Sequence, residues 1–224
     1  MSLDRIVALV PMRHHSQRVP GKNYRPIAGK PLFHHIVDTL LQVTEIGKIV
    51  IDTDSPNIRE SVAKKYSMVE VLERPEHLRA DDIPMNEVLL YDSSQYPADL
   101  YLQTHSTNPM LTVDSLRSAI RFMQKNYPAY DSLFSVTRVQ SRLYDSLAKA
   151  INHNPNILLQ TQDLPPVYEE NSCMYIFTRE TIEKRRTRIG DRPYMYELDA
   201  IEAWDIDEEL DFRIAELILQ ARQG

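Results

Sequence analysis

The stretch RIVALVPMRHHSQRVPGKNYRPIAGKPLFHHIVDTLLQV, residues 5–43, decides how the rest of the chain is read. Its first six residues are a short apolar run cut off by Pro11, the pattern of a buried strand that delivers its C-terminal end to a loop. After AGKP, Leu32, Ile36, Leu40 and Val43 recur at helical spacing and Pro31 suits a first turn, so 31–43 reads as a helix. The polar loop between them carries Arg13, Arg18 and Lys22 at what the pattern makes a strand end.

The same rhythm runs outward. KIVIDTD (48–54) and MVEVLER (68–74) read as strands around an amphipathic helix from about Asn57 to Tyr66. A helix near 85–95, strand DLYLQT (99–104), helix 112–126 and strand SLFSVTRV (132–139) follow. Strands alternating with helices imply right-handed parallel crossovers and an α/β sheet covered on both faces, with ligands at the strand carboxyl ends. After about Gln140 the rhythm breaks: NHNPNILLQTQDLPPVYEENS has weak periodicity and paired prolines. Such a segment covers a substrate, builds a subunit contact or is disordered. CMYIFTR (173–179) and AIEAWDID (200–207) read as further strands. The chain then passes into a helix from about Glu208, with Leu210, Ile214, Leu217 and Ile218 on one face.

Composition narrows the function classes. A chain of 224 residues suits a single domain, 1–224, and the 42% apolar and 26% charged content is ordinary for a soluble protein. No apolar run approaches the roughly 18–20 residues that span a bilayer, and the chain runs from Met1 straight into its first strand, so a cytoplasmic protein without a membrane partner is expected. The lone Cys173 excludes an intrachain disulfide and a thiolate-clustered zinc site, and reads as a small buried residue. With 26 basic against 32 acidic residues the net charge is −6, and the basic loop lacks aromatic platforms, which argues against nucleic acid as a partner. Any anion site is therefore local. Between Arg5 and Val37 there is no Asp or Glu, while Arg5, Arg13, Arg18, Lys22, Arg25 and Lys30 fall inside that window.

Two constellations carry chemistry. In the basic loop, Arg13, Arg18 and Lys22 are joined by the donors His14, His15 and Ser16, with Pro20 supplying stiffness and Gly21 backbone freedom. Arginine grips phosphate oxygens through parallel hydrogen bonds and lysine acts on them as a point charge, so the loop suits a polyphosphate. The alternative is a solvated basic loop. It matches neither the GxxxxGK[ST] nor the GxGxxG pattern, and adjacent residues such as His14 and His15 rarely point at one metal ion.

The second is WDIDEELDF (204–212). On an extended segment, the spacing of Asp205 and Asp207 puts both carboxylates on one side, where they suit Mg²⁺ that keeps waters and substrate phosphate oxygens. Asp207 could equally serve as N-cap of the last helix. A third pair, Asp52 and Asp54, reads mainly as structural, with Asp54 or Ser55 capping the next helix. A phosphate cradle with a two-carboxylate metal site suggests phosphoryl or nucleotidyl transfer.

At these residues the chain resembles the acylneuraminate cytidylyltransferases (CMP-sialic acid synthetases) and their relatives acting on bacterial nonulosonic acids and 3-deoxy-octulosonate. VPMRHHSQRVPGKNYRPIAGKPL resembles the family's first-strand signature, and VLERPEHLRADD, YLQTHSTNPMLT, EENSCMYIFTR and AWDIDEELDFRIAE are similar to four further segments, in order, over nearly the whole chain. The resemblance implies a nucleotide-diphospho-sugar transferase-like three-layer α/β sandwich with a mostly parallel central sheet. It implies a Mg²⁺-dependent transfer from CTP to an acidic 2-keto sugar, with Arg13 and Lys22 countering phosphate charge. Nucleotide contacts are implied for Val10, Pro11, Met12, Arg13, Ser16, Lys22, Asn23, Arg74 and Asp81, sugar contacts for Gln103, Asn171 and Tyr175, and metal ligation for Asp205 and Asp207. A homodimer is implied too, with residues about 140–190 as the interface and substrate cover. Three features depart from the pattern: His14-His15 stands where the family has Gly-Gly, QTHSTNPM is longer and lacks a first proline, and Ser172 replaces a common glycine.

Overall fold

The computed structural model describes residues 3–16 and 18–222; Met1, from which the reading of the N-terminus starts, lies outside them. In chain order the first half comprises β1 (Ile6–Leu9), β2 (Pro26–Ile27), β3 (Lys30–Pro31), α1 (Leu32–Leu40), β4 (Lys48–Thr53), α2 (Pro56–Lys65), β5 (Val69–Glu73) and α3 (Met85–Gln95). Then follow β6 (Leu100–Thr104), α4 (Val113–Asn126), β7 (Ser132–Val139), β8 (Val167–Phe177), α5 (Arg179–Arg185), β9 (Pro193–Glu197) and α6 (Glu209–Ala221).

Seven strands form one sheet in the order β5-β4-β1-β6-β8-β7-β9, and β2 pairs with β3 separately. β1 lies parallel to β4 and β6, β4 to β5, and β7 to β9; β8 alone runs antiparallel to its neighbours β6 and β7. Alternation along the strands divides the core into layers. Ile6 and Ala8 face a cluster with Phe33, Ile36 and Leu40 of α1, Ile58 and Val62 of α2, and Leu116 and Ile120 of α4. Val7 and Leu9 point the other way, into a cluster with Leu89 of α3 and Ile182 of α5. The three-layer α/β sandwich with a mostly parallel sheet expected from the sequence is present.

Local chemistry sets several boundaries. Ser55 caps α2, its Oγ accepting from Ile58 N at 3.4 Å, and Pro56 opens the helix. The same hydroxyl lies 2.8 Å from His14 Nδ1, tying the basic loop to this helix start. Ser55→Ala is expected to cost about 1 kcal/mol, read as a lower denaturation midpoint with an unchanged m-value. Asp54 instead accepts from His14 N at 2.7 Å.

Three expectations are corrected. Residues 200–207 are not a strand: Ala203 N and Ile201 N both turn back to Asp199, at 2.9 and 2.8 Å, and the edge position beside β7 is taken by β9. β9 has no clean alternation of its own, since its residues are half-buried or exposed. Asp207 is not the cap of α6; Glu208 and Asp211 form a reciprocal capping box, with Glu208 N donating to Asp211 Oδ2 at 2.8 Å. β8 begins at Val167, six residues before the expected strand at Cys173, and so reaches back into the irregular excursion. The segment before it is largely exposed, Leu147 and Leu158 at 85% and 89%. No helix among the described residues is long and apolar enough to cross a membrane.

Candidate active site

The carboxyl ends of β1, β4, β5 and β6 lie along one edge of the sheet, and the cleft above them has a volume of about 530 Å³. From the antiparallel β8, Ser172, midway along the strand, reaches the same cleft. Pro11, Met12, Arg13, Ser16, Lys22, Asn23, Arg74, Asp81, Asp205 and Asp207, all named from the sequence, line this one cleft. Val10 does not; it is fully buried in the strand-end core.

The basic loop owes its course to its backbone. Gly21 sits at φ +66°, where a Cβ would stand 3.0 Å from the Tyr24 ring, so a side chain there is doubly disfavoured. Asn23 Nδ2 donates to Arg13 O at 2.8 Å and its Oδ1 accepts from Ser106 Oγ at 2.7 Å, which fastens the loop to the end of β6. His14 turns away from the cleft, stacked on Tyr24 and bonded to Ser55, while His15 lines it. The replacement of Gly-Gly therefore adds one imidazole to the cleft wall.

Opposite charges meet across the cleft. Arg13 Nη1 donates to Asp81 Oδ1 at 2.6 Å, and Arg18 Nη2 to Asp207 Oδ1 at 2.6 Å. Lys22 donates to the carbonyl of Ile206 and stands 3.8 Å from Asp207. Burial pulls the Lys22 ammonium below its ordinary range, opposed by Asp205 and Asp207. Ile206 is fully buried against Val19, Leu32, Met110 and Phe212, which leaves Asp205 and Asp207 on the cleft side. The shared side survives without a strand, because Ile206 is the anchor. Burial raises the Asp205 carboxyl, with Asp207 adding to the effect, so Asp205 lacks full compensation from the protein. Beside them, Asn108 Nδ2 lies 3.4 Å from Asp205 Oδ1 and its own Oδ1 is buried without a partner.

Arg74 is 1% exposed yet touches the cleft, held from behind by Asp52. Gln103 and Tyr175 are both fully buried and paired in register across β6 and β8. Arg188, absent from the sequence reading, lies over them: its guanidinium carbon is 3.5 Å from the Tyr175 ring centroid and Nη1 donates to Gln103 Oε1 at 2.7 Å. Asn171 sits at the irregularity between β7 and β8, accepting from Ser135 Oγ at 2.6 Å and donating to Thr137 Oγ1 at 3.0 Å. His105 and Asn108 also line the cleft and were not named from the sequence. No local signal marks Arg188 within RRTRIGDR; only the fold brings it 85 residues back to Gln103.

A family profile described as Cytidylyltransferase matches residues 7–222. The chain is 30% identical to the CMP-N,N'-diacetyllegionaminic acid synthase of Legionella pneumophila, covering 98% of each chain. It is 25% identical to N-acylneuraminate cytidylyltransferase A of Danio rerio over 94% of this chain, and spans 50% of that longer protein. Among solved structures it resembles a CMP:2-keto-3-deoxy-manno-octonic acid synthetase complexed with CTP, with a TM-score of 0.71, 16% identity and coverage of 98% and 100%; at that identity the likeness shows the fold. With the profile spanning nearly the whole chain and a full-length relative at 30% identity, the protein belongs to the cytidylyltransferase family of nucleotidyltransferases.

Proposed function

We propose that the protein transfers the cytidylyl group of CTP to a 2-keto sugar acid of the sialic or nonulosonic class and releases pyrophosphate. The observation that carries this reading is the meeting of loop 11–23 with Asp205 and Asp207 in one cleft at the strand ends, spanned by the bond from Arg18 to Asp207 at 2.6 Å. The names of the relatives, one matched over its full length and one over half of it, supply the sugar class.

In this reaction the anomeric hydroxyl oxygen bonds to the α-phosphorus in line. The bond from that phosphorus to the bridging oxygen breaks, pyrophosphate leaves with the electron pair, and the hydroxyl proton is released. Arg13 and Lys22 face phosphate oxygens and offset the charge that builds on them. Lys22 is held by Ile206 and can move little, while Arg13 exchanges its ion pair with Asp81 for the incoming phosphates. Arg74, buried and braced by Asp52, offers a positioned cation to the nucleotide from the cleft floor. Asp205 and Asp207 fit Mg²⁺: both offer carboxylate oxygens to a cleft whose basic lining suits the phosphates that complete such a site, and burial leaves Asp205 short of positive charge. When bound there, the ion supplies Lewis-acid neutralisation of phosphate oxygens.

The expected subunit contact at about 140–190 is supported by exposed Leu147, Ile151, Ile157 and Leu158, apolar side chains that a second copy would cover.

Pyrophosphate release should appear with Mg²⁺, CTP and one member of a panel comprising N-acetylneuraminate, legionaminate, pseudaminate and 3-deoxy-octulosonate, and should fail with UTP, GTP or ATP. Turnover with another nucleotide, or no turnover despite CTP binding, would overturn the reading.

A further inference from the structure

Arg188 is a firmly placed cation of the cleft to which the reading above gives no role. It follows α5 in a connection that is fastened at several points. Arg186 takes a left-handed φ of 55° at the helix end and its Nη2 pairs with Glu87 at 2.7 Å; Arg188 N donates to Asn86 Oδ1 at 3.3 Å; Gly190 N donates to Ser132 Oγ at 2.8 Å. The chain is thus held to the start of α3 on one side and to β7 on the other.

The side chain is fastened as well. Its guanidinium carbon sits over the Tyr175 ring, 3.5 Å from the centroid, and Nη1 bonds Gln103 Oε1 at 2.7 Å. Gln103 in turn lies 2.7 Å from His105 Nε2. A guanidinium has five N–H donors in a fixed fork, and this one is desolvated, with a side-chain exposure of 15%. Its acidic neighbour Glu170 stands 4.0 Å away, beyond hydrogen-bond distance, and is itself engaged by the Tyr175 hydroxyl. A buried cation with donors facing a cleft and no carboxylate in contact is costly unless a ligand supplies the anion.

Gln103 and Tyr175, the residues expected to contact the sugar, are covered by this guanidinium, so a sugar in this part of the cleft meets Arg188 first. We propose that Arg188 binds the carboxylate of the sugar acid through paired N–H···O bonds and selects acidic over neutral sugars. Planar fork and planar carboxylate match in shape, and Tyr175 and Gln103 fix the fork before the sugar arrives. This inference rests on the sugar-acid reading given above.

The test is steady-state kinetics of wild type, Arg188→Lys and Arg188→Met with CTP and the sugar acid that wild type accepts, and with the C1 carboxamide of that sugar. Arg188→Met retains an apolar chain over Tyr175, and Arg188→Lys retains the charge without the fork. The expected kcat/KM for the acid falls about 100-fold or more in Arg188→Met and less in Arg188→Lys, while CTP affinity and melting temperature stay near wild type. Wild type should discriminate against the carboxamide by a similar factor, and Arg188→Met should lose that discrimination. Equal losses on acid and carboxamide overturn the proposal and make Arg188 a packing support for Gln103 and Tyr175. An unchanged sugar KM in Arg188→Met overturns it as well. Wild-type silence with every sugar acid of the panel defeats the parent reading, and this one with it; the two failures are distinguished by wild type alone.

Discussion

Asp205→Asn and Asp207→Asn are each expected to lower kcat by at least about 100-fold and to raise the Mg²⁺ concentration needed for half-maximal activity. A metal that stabilises several kcal/mol of charge in the transition state loses a tenfold rate factor for every 1.4 kcal/mol or so withdrawn. Loss of one of two protein carboxylates removes about 3 kcal/mol on that scale, and the substrate phosphates compensate only in part. The same substitutions should do little harm to the fold. Asp205 is desolvated and repelled by Asp207, so an amide there relieves an unfavourable charge, and the melting temperature without metal should hold or rise. Asp207 is 44% exposed and its pair with Arg18 is a solvent-screened contact worth no more than about 1 kcal/mol. A structural role predicts the reverse pattern, with reduced stability and an unchanged Mg²⁺ requirement. Kinetics as a function of Mg²⁺, set beside thermal melts, separates the two. Near-normal Mg²⁺-dependent turnover in both variants refutes the ligand assignment.

Most of the layered fold is legible in the sequence because buried strands and amphipathic helices carry their own periodicity. Ile6, Ala8 and their neighbours on the other face alternate cleanly, and α1 presents Leu32, Ile36 and Leu40 at helical spacing. β9 is not legible, because its edge position leaves it half-exposed and without a marked pattern. The error at 200–207 has a related cause. An alternation of apolar and acidic residues signals extended chain, but Asp199 closes a turn that no periodicity announces. At the site, loop 11–23 and the Asp-Ile-Asp segment declare themselves through local charge. Arg188 and Asn108 do not, since each acquires its meaning from a contact about a hundred residues away, Gln103 for one and Asp205 for the other.

Arg74 reaches the cleft from within the core, and its support is the basis of the second large effect. Three charged groups are packed together there: Asp52 at 1%, Arg74 at 1% and Asp92 of α3 at 0% exposure. As two carboxylates, Asp52 Oδ2 and both Asp92 oxygens would have no donor. A proton on Asp92 removes the conflict by letting the acid donate to Asp52, which then serves Arg74 as its ionised partner. Burial, reinforced by the charge of Asp52, pushes the Asp92 carboxyl up to about 9.

The double variant Asp52→Asn/Asp92→Asn should therefore lose about 3–5 kcal/mol of stability, because it leaves the Arg74 cation buried without an anion. Each single variant should cost much less. In Asp52→Asn the remaining Asp92 is relieved of a like charge and can ionise against Arg74; in Asp92→Asn the amide donates to Asp52 as the protonated acid did. The two costs should be far from additive.

A pH dependence follows from the same proton. The folded-state pKa of Asp92 is raised above its unfolded value, so native protein holds the extra proton between about pH 4 and 9. The stability this group contributes is complete below the unfolded pKa and is lost as pH rises through the folded one. Asp92→Asn cannot release a proton, so relative to wild type it should gain by up to about 1.4 kcal/mol per pH unit across that window. Urea denaturation of the four proteins at pH 5.5, 7 and 8.5 measures both effects. Parallel pH curves for wild type and Asp92→Asn, or an Asp52→Asn cost equal to that of the double variant, would show that the proton is not shared here. Arg74 would then be held by Asp52 alone, and its presentation to the cleft would depend on one carboxylate instead of a pair.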